Sequence, residues 1–152
     1  MAKLKDFLQD FPYEVVKGSD ETEVTFPVYD SRKAAEGCFF VCVAGANFDG
    51  HDAAEEVVAK GARALITEKD VALSQADGGV TVIRVANTRY AMAFIAAAAN
   101  GYPAKKLKII GVTGTKGKTT GTYLMKSVLE RAGRRVGLIG TVEVIIGEKH
   151  IH

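Results

Sequence analysis

The segment Gly111-Val112-Thr113-Gly114-Thr115-Lys116-Gly117-Lys118-Thr119-Thr120 carries the residue types that hold a polyphosphate. Glycines free backbone N–H groups to line an anion cradle, and a helix starting behind the turn adds the partial positive charge of its N-terminus. In that arrangement Lys118 reaches the β- and γ-phosphates and acts on the transferring group, and the Thr119 hydroxyl ligates Mg2+. ATP is the expected ligand, held by Gly114, Thr115, Lys116, Gly117, Lys118, Thr119 and Thr120. The spacing departs from the standard pattern at one point, because Val112 stands where a glycine is usual, five positions before Gly117.

Such a loop needs a strand before it and a helix behind it. Residues 107–112 are mostly apolar, and Tyr123, Leu124, Val128 and Leu129 recur at helical spacing, which predicts that context. Further upstream, Leu4, Phe7, Leu8 and Phe11 predict a short amphipathic helix, followed by β-rich stretches at 13–16 and 22–29 and a polar turn at 30–33. Residues 38–43 form an unbroken apolar run, as in a strand buried on both faces. A glycine-punctuated loop over 44–50 leads to a helix that Asp52 is placed to cap, with Glu55 and Glu56 in its first turn. Strands are predicted at 64–67 and 80–85, separated by an irregular stretch ending in Asp77-Gly78-Gly79. Asn87 or Thr88 caps a helix running to Asn100, which Gly101 and Pro103 end. Strands alternating with helices predict an α/β fold: a small mixed-sheet domain followed by the first βαβ unit of a phosphate-loop ATPase domain.

Charge supports a division near residues 102–106. Residues 1–104 hold 10 Lys/Arg against 15 Asp/Glu, a net −5, while residues 105–152 hold 10 against 3, a net +7. The second part therefore faces something anionic, a polyphosphate or a nucleic acid. Tyr123 is the sole aromatic after Tyr102, which argues against nucleic acid, because base-stacking surfaces interleave aromatics with basic residues. A composition of 47% apolar and 25% charged residues is that of a globular chain and excludes disordered, collagen-like and disulfide-scaffold classes. Lys3, Lys5 and Asp6 stand where a signal peptide needs apolar residues. The alanine-rich run 91–99 has nine residues against the roughly 20 that span a bilayer, so a cytoplasmic protein without membrane insertion is expected. Cys38 and Cys42 fall on one face of their strand about 13 Å apart, too far to bridge, and read as buried apolar side chains. His150 and His152 have no third ligand nearby and do not make a metal site.

The variant loop 113–120 resembles that of the Mur ligases, which build the peptidoglycan stem peptide, and of their folylpolyglutamate synthetase relatives; this family lacks the outer glycine. Asp30-Ser31-Arg32, Gly37-Cys38-Phe39-Phe40-Val41, Gly45 and Asp49-Gly50-His51 are similar to the family's uridine-nucleotide domain. Arg135-Val136-Gly137-Leu138-Ile139-Gly140-Thr141 and Thr115 resemble the branch that adds a diamino acid as the third stem residue. The resemblance implies ATP-driven amide formation on UDP-N-acetylmuramoyl-L-alanyl-D-glutamate through an acyl phosphate. It further implies that Tyr29, Ser31, Ala46, Asn47 and Phe48 line the uridine end of that substrate, with residues 1–104 as the substrate-binding domain and 105–152 as the start of the ATP-binding domain. Complete ligases of this kind are about three times longer, so the 152-residue chain is expected to be inactive alone. A non-catalytic uridine-nucleotide module with a vestigial phosphate loop is the alternative. His51 is given no chemistry, and neither the diamino acid nor the oligomeric state is legible.

Overall fold

The apolar run at 38–43 becomes the middle of a sheet. The computed structural model describes residues 2–46, 48–74 and 79–151. The chain divides into two units, Met1–Leu107 and Lys108–His152. In the first unit, β1 (Ala2–Lys3) pairs antiparallel with β3 (Glu23–Val24). A separate five-stranded sheet contains β2 (Glu14–Lys17), β4 (Pro27–Val28), β5 (Phe39–Val41), β6 (Ala64–Thr67) and β7 (Thr81–Arg84). Its order is β2-β7-β6-β5-β4; β4 to β7 run parallel, and β2 lies antiparallel on β7.

Alternation along the parallel strands divides the core in two. Phe39, Val41, Ala64, Ile66 and Ile83 pack on one face against Leu4, Leu8 and Phe11 and against Ala91 and Ile95 of α2 (Thr88–Ala99). Cys38, Phe40, Cys42 and Leu65 pack on the other against Ala54 and Val57 of α1 (Ala54–Ala59). Each large apolar side chain fully buried in these layers contributes about 1.5–3 kcal/mol, so both faces are needed to hold the strands. Both cysteines are free and buried on the same face, as the spacing predicts. Burial, with a smaller push from the Asp49 charge, raises the Cys42 thiol to about 12. Asn87 caps α2 by accepting from Tyr90 N–H at 2.8 Å, and Gly101 follows the helix with φ 66°. Tyr102 also takes the left-handed region, at φ 54°, and its hydroxyl donates to Asp10 at 2.7 Å.

Three local expectations are corrected. The N-terminal segment is a 3-10 turn over Leu4–Phe7 rather than a helix, because β1 and the bonds from Leu4 N to Thr22 O and Lys5 N to Asp20 O fix its backbone; the predicted apolar positions Leu4, Leu8 and Phe11 are nevertheless the buried ones. The stretch 22–29 is two short strands, not one. The cap after the 44–50 loop is Asp49, not Asp52: a 3-10 turn over Gly50–Ala53 precedes α1, and Asp49 Oδ1 accepts from His51 N–H at its start. Of the irregular stretch before β7, residues 75–78 lie outside the described residues.

The second unit contains α3 (Lys118–Arg131) and an antiparallel sheet of β8 (Gly137–Ile139), β9 (Val144–Ile146) and β10 (Lys149–Ile151), in the order β10-β9-β8. Leu138 and Ile145 are its buried apolar side chains among the described residues. The strand expected at 107–112 is not formed, so the βαβ unit lacks its first member. Residues 107–112 have no ladder partner among the described residues, and β8, which follows the loop helix, stands at the edge of its own antiparallel sheet. Ile109 and Ile110 consequently stand 70% and 62% exposed. Among the described residues no helix is long and apolar enough to cross a membrane.

Candidate functional site

The parallel strands β4 to β7 all end on one edge of the sheet, and the connections leaving them gather there. Ligands of open parallel sheets bind beyond that carboxyl edge. Tyr29 directly follows β4 and is 66% exposed. Ser31 opens a 3-10 turn, Ser31–Lys33, capped by Asp30. The Asp30 carboxylate accepts from Arg32 Nε at 2.9 Å, Nη2 at 2.8 Å and the backbone N–H at 3.1 Å, and these bonds lower it to about 2. From the neighbouring strand β5 comes the loop bearing Ala46 and Phe48, both exposed, Phe48 by 58%. Asn47 lies outside the described residues. Four of the five side chains expected at the uridine end therefore leave adjacent strands at the same edge.

The base of that second loop is tied closely. Gly45 N–H donates to Phe48 O at 2.8 Å, Ala44 bridges Asp49 antiparallel, and Gly50 N–H donates to Val43 O at 3.0 Å. Arg89, in the first turn of α2, donates from Nη2 to Ala44 O at 2.6 Å. Asp49 accepts from Lys69 Nζ at 2.8 Å and from His51 N–H at 3.0 Å, and these bonds hold its carboxyl well below the ordinary range. Its Oδ1 also lies 2.5 Å from His51 Nδ1. His51 Nε2 accepts from Glu68 N–H at 3.0 Å, which places the imidazole proton on Nδ1, donated to Asp49. Glu68 Oε1 in turn accepts from Thr88 N–H at 2.6 Å and Thr88 Oγ1 at 2.7 Å, lowering its carboxyl. Sequence reading passed over His51. The signal available was Asp-Gly-His at a loop-to-helix junction; the burial of the imidazole, 4% exposed, was not legible.

In the second unit, Gly114 and Gly117 adopt φ 145° and 77°, conformations that favour glycine. Gly117 is the N-cap of the 14-residue α3, which puts Lys118, Thr119 and Thr120 in its first turn. Lys118 Nζ donates to Gly114 O at 2.6 Å, so the lysine lies back across its own loop. This arrangement suits a nucleotide phosphate: glycine-permitted turns, a helix N-terminus, and a basic side chain over the cradle. For Mg2+ the chain offers the Thr119 hydroxyl, which fits an ion that takes its remaining oxygens from phosphates and water. Among the described residues no group of three or more His, Cys, Asp or Glu could hold a metal; His152 lies outside them. Glu143 accepts from Tyr123 Oη of α3 and lies 2.5 Å from His150 Nδ1 of β10, joining helix to sheet. A cavity of about 770 Å3 lies away from both clusters: Glu36, Arg63 and Val80 line it where β5, β6 and β7 begin.

A family model described as "Mur ligase family, catalytic domain" matches residues 23–110, a stretch that ends before the glycine loop. The chain is 45% identical over 148 residues to UDP-N-acetylmuramoyl-L-alanyl-D-glutamate--2,6-diaminopimelate ligase of Clostridium perfringens, covering 97% of this chain and 30% of that protein. A solved structure of a ligase of the same name resembles the fold at a TM-score of 0.71 with 21% identity, covering 99% of this chain and 30% of that one. The MurF ligase of Thermotoga maritima in complex with ADP matches at a TM-score of 0.51 and 29% identity, covering 71% of this chain and 24% of that one. The chain thus spans about 30% of the length of the curated relatives it matches.

Proposed function

Because the chain belongs to the Mur ligase family, we propose that it is the N-terminal portion of an ATP-dependent ligase that joins a diamino acid to UDP-N-acetylmuramoyl-L-alanyl-D-glutamate during peptidoglycan synthesis. On this reading residues 1–104 bind the uridine end of the substrate through Tyr29, Ser31, Ala46, Asn47 and Phe48, with the Phe48 ring available to stack on the base. Residues 105–152 begin the ATP-binding domain, and Gly114 to Thr120 hold the triphosphate. The γ-phosphoryl group passes to the D-glutamate γ-carboxylate, giving an acyl phosphate and ADP. The amine of the incoming diamino acid then displaces phosphate and forms the amide. Lys118 neutralises charge on the transferring group, a task of position and electrostatics, and Thr119 would hold Mg2+, which would supply further positive charge there. The protein works on soluble substrates in the cytoplasm and needs no nucleic acid.

The observation that carries this reading is the head of α3: left-handed glycines at 114 and 117 leading directly into Lys118 and Thr119. A diaminopimelate ligase at 45% identity supports the substrate class. The test is calorimetric titration of the 152-residue chain, separately with the UDP-muramoyl dipeptide and with Mg-ATP. We expect both to bind, Lys118→Ala to remove Mg-ATP binding alone, and Ser31→Ala to weaken the uridine nucleotide alone. Binding of neither ligand would refute the proposal. Binding of the uridine nucleotide without Mg-ATP would favour a non-catalytic uridine-nucleotide module.

A further inference from the structure

We infer that His51 is a positioning residue for the uridine-nucleotide site, fixing through Asp49 the base of the loop that follows β5. The inference rests on the site assignment just proposed.

Two connections of the fold meet at this imidazole, and a third is linked to them through Glu68. Nδ1–H donates to Asp49, the residue that closes the loop through its bridge to Ala44. Nε2 accepts from the backbone of Glu68, the first residue after β6. The Glu68 carboxylate continues the chain of bonds to Thr88, at the head of α2. The same helix turn sends Arg89 back to the Ala44 carbonyl. Loop, β6 exit and α2 thus form a closed circuit of hydrogen bonds, and His51 is its buried member, accepting on one side and donating on the other. An apolar residue at 51 would leave the Glu68 N–H without its partner and remove one bond from Asp49, loosening the loop at its base. A loop that must be ordered on binding costs affinity that a preorganised loop does not. Lys69 holds Asp49 from the solvent side and the backbone N–H of residue 51 still donates to it, so the carboxylate keeps two partners when the imidazole is gone.

The experiment measures the affinity of uridine monophosphate and of the UDP-muramoyl dipeptide for the 152-residue chain and for His51→Leu and His51→Gln, with thermal melts of each. Glutamine returns an acceptor for Glu68 N–H. We expect His51→Leu to bind both ligands about tenfold more weakly and His51→Gln to recover to within about threefold of the parent, as loss and return of one buried hydrogen bond predict. Ile95→Val, which trims the core between α2 and the sheet two turns from Thr88, should lower the melting temperature without changing either affinity; this separates positioning from stability, and His51→Gln keeps the test decisive if His51→Leu folds poorly. Equal affinities for parent, His51→Leu and His51→Gln would overturn the positioning role and leave the uridine site standing. Equal weakening in His51→Gln and Ile95→Val would overturn it in favour of a purely structural role. A parent chain that binds neither ligand would overturn the site assignment and the inference together.

Discussion

Gly50→Ala tests how tightly the candidate loop is seated on the sheet. Gly50 does not have a positive φ, so the cost of a side chain there is steric rather than conformational. A Cβ at this position would lie 2.8 Å from Val43 N, 3.0 Å from Val43 O and 3.2 Å from Cys42 C. All three are backbone atoms at the exit of β5, and Cys42 N–H is bonded to Ile66 O at 2.9 Å, so they cannot retreat without opening the sheet. Overpacking of this kind costs about 1–3 kcal/mol. The bond from Gly50 N–H to Val43 O contributes about 1 kcal/mol more and is lost if the loop lifts instead. The sum is about 2–4 kcal/mol, which for a unit of this size lowers the melting temperature by about 8–30 °C. Far-UV circular dichroism melts of the 152-residue chain would measure it. Gly111→Ala is the matched control, since nothing lies within 4 Å of a Cβ there, and it should melt within about 2 °C of the parent. A Gly50→Ala chain melting within about 3 °C of the parent would refute the steric argument.

Three further outcomes are expected. Asn87→Ala removes the cap of α2 and should cost about 1 kcal/mol, a fall of about 4–8 °C in melting temperature, while Asn87→Ser keeps most of it; an unchanged Asn87→Ala would contradict the capping assignment. Glu68 and Asp49 are both held below their ordinary values by hydrogen bonds, Glu68 from Thr88 and Asp49 chiefly from Lys69, so the stability they contribute is complete above about pH 5 and is lost as the pH falls through the acid range. Glu68→Gln should flatten part of that acid loss in a pH series of melts, and a parent-like slope would count against the Thr88 bonds as its source. Ellman's reagent at about pH 8 should label neither cysteine of the native chain, because Cys42 titrates near 12 and Cys38 is fully buried; labelling should follow unfolding by denaturant, and prompt stoichiometric labelling of native protein would refute this.

Local chemistry was legible without coordinates. The unbroken apolar run at 38–43 announced a strand buried on both faces, because a period of two sends successive side chains to opposite layers and both must then be apolar. Asn87 and Gly101 marked the ends of α2 because capping is decided within a few residues. The left-handed glycines and Lys118 at the head of α3 follow from the loop sequence itself. Tertiary structure decided what depends on residues far apart in the chain. Residues 107–112 are apolar enough for a strand, yet a strand exists only with a ladder partner, and no described strand pairs with them. Leu4 and Leu8 have helical spacing, but bonds to Thr22 and Asp20 impose a tighter turn. His51 passed as an ordinary helix-start residue because its partner Glu68 lies 17 positions away; only the sheet, by ending β5 and β6 side by side, brings that N–H to the imidazole and turns a polar loop residue into a buried strut.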